Sequence, residues 1–124
     1  MATTVDQAAI CGIDIAACFV SDAARSIAFY RDVLGLQPTE IDDQARGAEF
    51  TLSDGQTFGV WNAGEDGPKT GGVIVFAVGE INAAVERIRA NGGTVSDPTE
   101  SSVCFMSFGN DPDGNAFMIH KRKG

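Results

Sequence analysis

Two kinds of apolar pattern alternate along the chain. "IAACFV", Ile15–Val20, and "VIVFAV", Val73–Val78, are apolar at every position. Such short runs, rich in Val, Ile and Phe, predict strands covered on both faces. Each leads into a polar corner, Ser21-Asp22 or Gly79-Glu80, where a helix can be capped. Beyond the first corner Ala23, Ile27, Tyr30 and Leu34 recur at steps of four, three and four. Beyond the second, Ile81, Ala84, Val85 and Ile88 make a similar stripe. Both stretches predict amphipathic helices, and Gly35 and Gly92-Gly93 close them as glycines commonly close helices.

The chain therefore says the same thing twice. Ile15 and Val73 are 58 residues apart, as are Gly35 and Gly93. After each helix come strand-like runs, "GAEFTLSD" and "QTFGVWN" in the first half, "VCFMSF" and "NAFMIH" in the second. Their connectors "SDGQ" and "NDPDGN" carry hairpin chemistry. The expected fold class is α+β: two βαβββ modules, residues 13–63 and 72–121, joined by a Gly-rich linker, 64–71, within one domain spanning 1–124.

Composition narrows the function classes. Of 124 residues, 44% are hydrophobic and 21% charged, ordinary for a globular protein. Polar residues and glycines interrupt every candidate for a membrane span, and the N-terminal stretch lacks the basic start and apolar block of a secretory signal. The formal charge of −8 repels phosphate backbones and anionic membranes, so neither nucleic acid nor membrane is an expected partner. The basic cluster Lys121-Arg122-Lys123 reads as a solubilising tail. Three cysteines, Cys11, Cys18 and Cys104, contain no CxxC spacing and indicate neither a disulfide framework nor a zinc knuckle. A cytoplasmic protein is expected.

The words "VSDAARSIAFYRDVLGL" and "DPDGN", taken with the doubled pattern, resemble the vicinal oxygen chelate superfamily, which includes glyoxalase I, bleomycin-resistance proteins and extradiol dioxygenases. The resemblance runs from about Ile13 to Lys121. It implies modules whose strands curl into a cup-like mixed sheet with helices on the outer face, completed in a homodimer. It also implies four metal-ligand positions, and in this sequence they fall on Ile15, Gly59, Val73 and Met118. Divalent ions need imidazole, thiolate or oxygen donors. Thioether sulfur suits copper(I) rather than harder divalent ions. No metal or other cofactor is therefore expected.

"DPDGN" also resembles the opening of a calcium loop, but the twelfth position from Asp111 is Arg122, where a bidentate glutamate is required. It reads as a turn.

Period two makes the former ligand face legible. Ile15, Ala17 and Phe19 lie on it with Thr57, Gly59 and Trp61. Val73, Val75 and Ala77 lie on it with Met118 and His120. The opposite faces, including Cys18, Val20, Phe76 and Ile119, are expected beneath the helices. Both faces are apolar although helices cover only one, so the cup is either filled by its own side chains or a dry pocket. Small residues at Ala17, Gly59 and Ala77 favour the pocket, with Gly59 leaving room for a flat ring. Ordinary core or dimer packing is the competing account of Trp61.

The expected function is metal-independent binding of an apolar or aromatic small molecule, neutral or cationic, in the manner of antibiotic sequestration. Trp61 would stack on the ligand, and Glu49, Asp54, Glu65 and Asp66 near the rim would attract a cation. One alternative is a glyoxalase- or dioxygenase-like enzyme with a displaced metal site, or a metal-free one with His120 as the candidate base; another is an interaction module that holds no ligand.

Overall fold

A computed structural model describes residues 15–63 and 73–123. The linker at 64–71, the rim residues Glu65 and Asp66, and Cys11 lie outside the described residues.

Ile15–Val20 forms β1, and Ala23–Ala28 forms α1, continued by a π-helical turn over Phe29–Val33. Glu40–Ile41 (β2), Gly47–Thr51 (β3) and Thr57–Asn62 (β4) complete the first half. The second half repeats it with Val73–Ala77 (β5), Ile81–Ala90 (α2), Thr99–Glu100 (β6), Cys104–Asn110 (β7) and Ala116–Arg122 (β8). The strands make two four-stranded mixed sheets, ordered β1-β4-β3-β2 and β5-β8-β7-β6. The first strand of each half runs parallel to the last, and the other pairings are antiparallel.

Local chemistry agrees with this layout. Asp22 caps α1 by accepting a hydrogen bond from the Arg25 N–H at 3.2 Å, and Glu80 caps α2 by accepting from the Ala83 N–H at 2.6 Å. Gly35 and Gly92, beyond the two helix ends, take φ of +78° and +92°, a region costly for other residues. The π-helical turn departs from the expected plain helix, and β2 and β6 are two-residue strands that no periodicity announces.

One aromatic core joins the halves. Phe58 of β4 meets Phe76 of β5 edge to face, with ring centroids 5.3 Å apart, and Tyr30 packs against both. Cys18, Val20, Val60, Phe117 and Ile119 are all buried on the helix-facing side, as period two requires.

A polar latch crosses the same seam. The buried Tyr30 hydroxyl donates to Asp111 Oδ2 at 2.9 Å. Burial and the neighbouring Asp111 push the Tyr30 phenol far above its ordinary pKa, so it acts as a donor. Asp111 also accepts from Asn115 Nδ2 and from the backbone N–H groups of Asp113 and Asn115, at 2.8–3.0 Å. Asn115 Nδ2 reaches the Phe19 carbonyl at 3.1 Å. The Asp113 carboxylate accepts from the Ser21 N–H and hydroxyl and from the Ser26 hydroxyl, and Arg25 lies 3.4 Å from it. The two sequence words "SDAARSIAFY" and "DPDGN" thus bind each other. Among the described residues no helix is long and apolar enough to cross a membrane.

Candidate functional site

Strand register assembles the ligand face. In the first sheet Ile15 pairs with Thr57, Ala17 with Gly59 and Phe19 with Trp61. One strand further, Thr57, Gly59 and Trp61 pair with Thr51, Glu49 and Gly47. In the second sheet Val73, Val75 and Ala77 pair with Ala116, Met118 and His120, and Met118 pairs onward with Phe108 and His120 with Met106. Directly paired residues share a face, so the predicted set forms two contiguous patches, one on each sheet. A crevice of about 260 Å³ runs between the sheets, lined by Thr57 of the first patch and Val75 and Ala77 of the second together with helix-facing Phe58 and Phe76.

Large apolar residues of this surface are exposed among the described residues. Ile15, Phe19, Val73, Val75 and Phe108 are 43–48% exposed, whereas their helix-facing neighbours Cys18, Val20, Phe76 and Phe117 are at most 9% exposed. A row of large apolar side chains left in water on one side of a sheet is a surface for association or for a ligand.

Trp61 does not stand up into the cup. A Cβ built on Gly47 would lie 2.5 Å from Trp61 Cε3, and one built on Gly59 would lie 3.3 Å from Trp61 Nε1. The indole is therefore folded down over both glycines. The space above Gly59, expected to be open for a ligand ring, is filled by the protein's own indole, with an Ile15 methyl 3.5 Å from the same point. The glycines act as the seat of Trp61, and the half-buried indole becomes a flat floor beside Ala17 and Phe19.

This geometry bears on the metal that the family resemblance implies. Around Gly59 the groups that converge are an indole edge, an isoleucine methyl and the Ala48 backbone carbonyl. The second patch contributes Val73, Val75 and Met118. Among the described residues no group of three or more His, Cys, Asp and Glu is gathered in one place. This donor set does not fit a Zn, Ni, Mn or Fe ion at the usual positions.

Two ionisable residues, His120 and Glu49, stand among these paired positions. Half-buried His120 sits next to Met106 and Ala77 on β8. Glu49, placed near the rim by the sequence, lies across from Gly59 on the face itself, with Glu40 paired to it on the outer side. The signal for Glu49 was available, since it alternates with Ala48 and Phe50, but it required the pairing of β3 with β4. Asp54 lines the crevice between the patches. A larger cavity, about 410 Å³, lies away from these patches, between the start of α2, β6, Phe105 and Lys121.

Comparison with known proteins places this geometry. Residues 12–119 match the family model described as the Glyoxalase/Bleomycin resistance protein/Dioxygenase superfamily. A lactoylglutathione lyase from Haemophilus influenzae is 33% identical over 110 residues, covering 77% of this chain and 81% of that protein. Among solved structures, an antibiotic-binding protein from a Streptomyces species superposes with a TM-score of 0.79 at 17% identity, covering 93% of this chain and 98% of that one. A lactoylglutathione lyase from Agrobacterium tumefaciens superposes with a TM-score of 0.74 at 19% identity, covering 89% and 92%. At such identities the structural likeness shows a shared fold.

Proposed function

The chain belongs to the glyoxalase/bleomycin-resistance/dioxygenase superfamily, and within it we propose that it is a metal-independent binding protein that holds an apolar or aromatic small molecule on the Trp61 floor. The observation that carries this reading is the donor-poor face itself: Ile15, Gly59, Val73 and Met118 at the ligand positions, an indole lying flat beside exposed Ile15 and Phe19, and exposed Val73 and Val75 on the second patch. A flat aromatic floor favours a planar ligand by offset stacking, about 0.5–1.5 kcal/mol beyond area burial. Glu49 adds an attraction for a cationic group on that ligand. The Streptomyces antibiotic-binding protein of the same fold supports extending the reading to antibiotic sequestration.

The test is a titration with planar antibiotics and aromatic metabolites, read by intrinsic fluorescence. Trp61 is the chain's single tryptophan, so the signal has one source. At least one planar compound should perturb it, and Trp61→Ala should weaken that compound's binding about tenfold or more once lost burial is added. A silent panel, or a Trp61→Ala variant that binds as tightly as the wild type, would return the indole to core or dimer packing.

A second reading is favoured by the 33% identity to a lactoylglutathione lyase: a glyoxalase- or dioxygenase-like enzyme with a displaced metal site, or a metal-free one using His120. Elemental analysis of the purified protein separates the two metal states. The binding reading expects far less than one Zn, Ni, Fe or Mn per chain and a melting temperature unmoved by chelators. Stoichiometric metal would favour the enzyme.

The binding reading also includes a homodimer, in which a second copy covers part of the exposed patches. Light scattering at micromolar concentration should return twice the 13.0 kDa of one chain. A 13.0 kDa particle would count against it.

A further inference from the structure

We propose a second small-molecule site, on the helix-facing side of the second sheet, that takes an amphipathic carboxylate. A cavity of about 180 Å³ opens between α2, β5, β8 and the end of the first helix. Its walls include Leu34, Leu36, Phe76, Ile88 and Ile119, and its one charged lining group is Arg87. A shallower depression of about 290 Å³ adjoins it, sharing Val78, Ala84 and Arg87. Arg87 thus stands where an apolar chamber meets the surface.

Three observations point to an anionic head and an apolar body. First, Arg87 is exposed and, like Arg122, forms no ion pair with any described residue, in a chain of charge −8 in which Arg25, Arg31, Arg46 and Arg89 each have a carboxylate partner. The one acid lining either hollow, Glu80, borders only the shallower one and turns a carboxylate oxygen to the Ala83 N–H. A guanidinium offers a planar fork suited to two carboxylate oxygens.

Second, the cavity is a difference between the two halves. The 58-residue repeat matches Arg87 with Phe29, whose ring packs against Tyr30 and Phe117 at centroid distances of 5.2 and 6.1 Å. Where the first half fills the seam with a phenyl ring, the second places a charge and leaves room. Third, the Leu34–Leu36 wall is shaped by the π-helical turn over Phe29–Val33 and by Gly35 at φ +78°. Such turns carry a local cost and occur often at functional sites.

The ligand is accordingly a short-chain or monoaromatic carboxylate. Its tail lies among Leu34, Leu36, Phe76 and Ile119, and its head rests on Arg87. Trp61 does not line this cavity, so binding here is read at residues other than those of the floor.

The experiment uses octanoate as probe and octanol as its uncharged match, with binding followed by amide chemical shifts of the full chain. Octanoate should shift Leu36, Ala84 and Ile88 saturably and bind roughly tenfold or more tighter than octanol, as a charge-assisted pair predicts. Arg87→Gln, at an exposed position, should erase that preference. Ala84→Leu should fill the chamber and abolish binding of both probes while the melting temperature is kept or raised. The proposal is overturned by octanoate failing to bind up to its solubility limit, by equal affinity for the two probes, by an Arg87→Gln variant that keeps the preference, or by shifts confined to the Trp61 face.

Discussion

Asp111→Ala is expected to lower the unfolding free energy by about 3 kcal/mol or more, among the largest losses available from one side chain here. Asp111 is 5% exposed and accepts four hydrogen bonds, from Tyr30, from the Asn115 amide and from two backbone N–H groups. Its removal strands a buried hydroxyl and loosens the "DPDGN" turn that ties the second half to α1. Tyr30→Phe removes one of those donors and keeps the ring in its aromatic cluster, so it should cost less, about 1–2 kcal/mol. Urea unfolding at neutral pH measures both, and a loss under about 1 kcal/mol for Asp111→Ala would show the latch to be incidental.

The latch also has a pH signature. Burial pushes the Asp113 carboxyl up, but the hydrogen bonds from Ser21, the Arg25 charge and the Ser26 hydroxyl outweigh it, and its pKa lies below the usual value. A depressed carboxyl stabilises the fold above its unfolded pKa of about 4, and that contribution disappears as pH falls through the lower folded value. Asp113→Asn should therefore flatten the acid side of the stability profile.

Gly47→Ala should be the more damaging of two matched glycine substitutions. A methyl group at Gly47 collides with the Val60 carbonyl oxygen and lies 2.5 Å from Trp61 Cε3, so strand or indole must move. Overpacking of this kind costs about 1–3 kcal/mol. At Gly59 the nearest atom, Trp61 Nε1, is 3.3 Å away and can yield slightly. Gly47→Ala should shift tryptophan emission to the red and lower the melting temperature. Gly59→Ala should leave emission nearly unchanged. Equal behaviour of the two would mean that the indole does not rest on Gly47.

Those glycines mark how far the sequence alone could be read. The 58-residue repeat located β1 and β5, both helix starts, and the helix-facing positions of Cys18 and Phe76, because period and capping are local signals. The pose of Trp61 was not legible, since it depends on a cross-strand partner, Gly47, fourteen residues away and fixed only by the β3–β4 register. The latch was half legible. A tyrosine in an apolar helix stripe needs a partner for its hydroxyl, but nothing local names Asp111, 81 residues on. The π-helical turn was hidden because its residues fit an ordinary helical stripe. Glu49 entered the face only once strands were paired.

The central claim is that a planar small molecule lies on the Trp61 floor, and the indole Nε1–H resonance tests it most directly. With one tryptophan the protein gives one such signal. Titration with a compound that quenches the fluorescence should move that resonance saturably, together with the amides of Ala17, Phe19, Gly47 and Gly59, while those of α2 stay in place. An indole resonance that remains still while the compound saturates shifts elsewhere, such as around Lys121 and the start of α2, would contradict the claim.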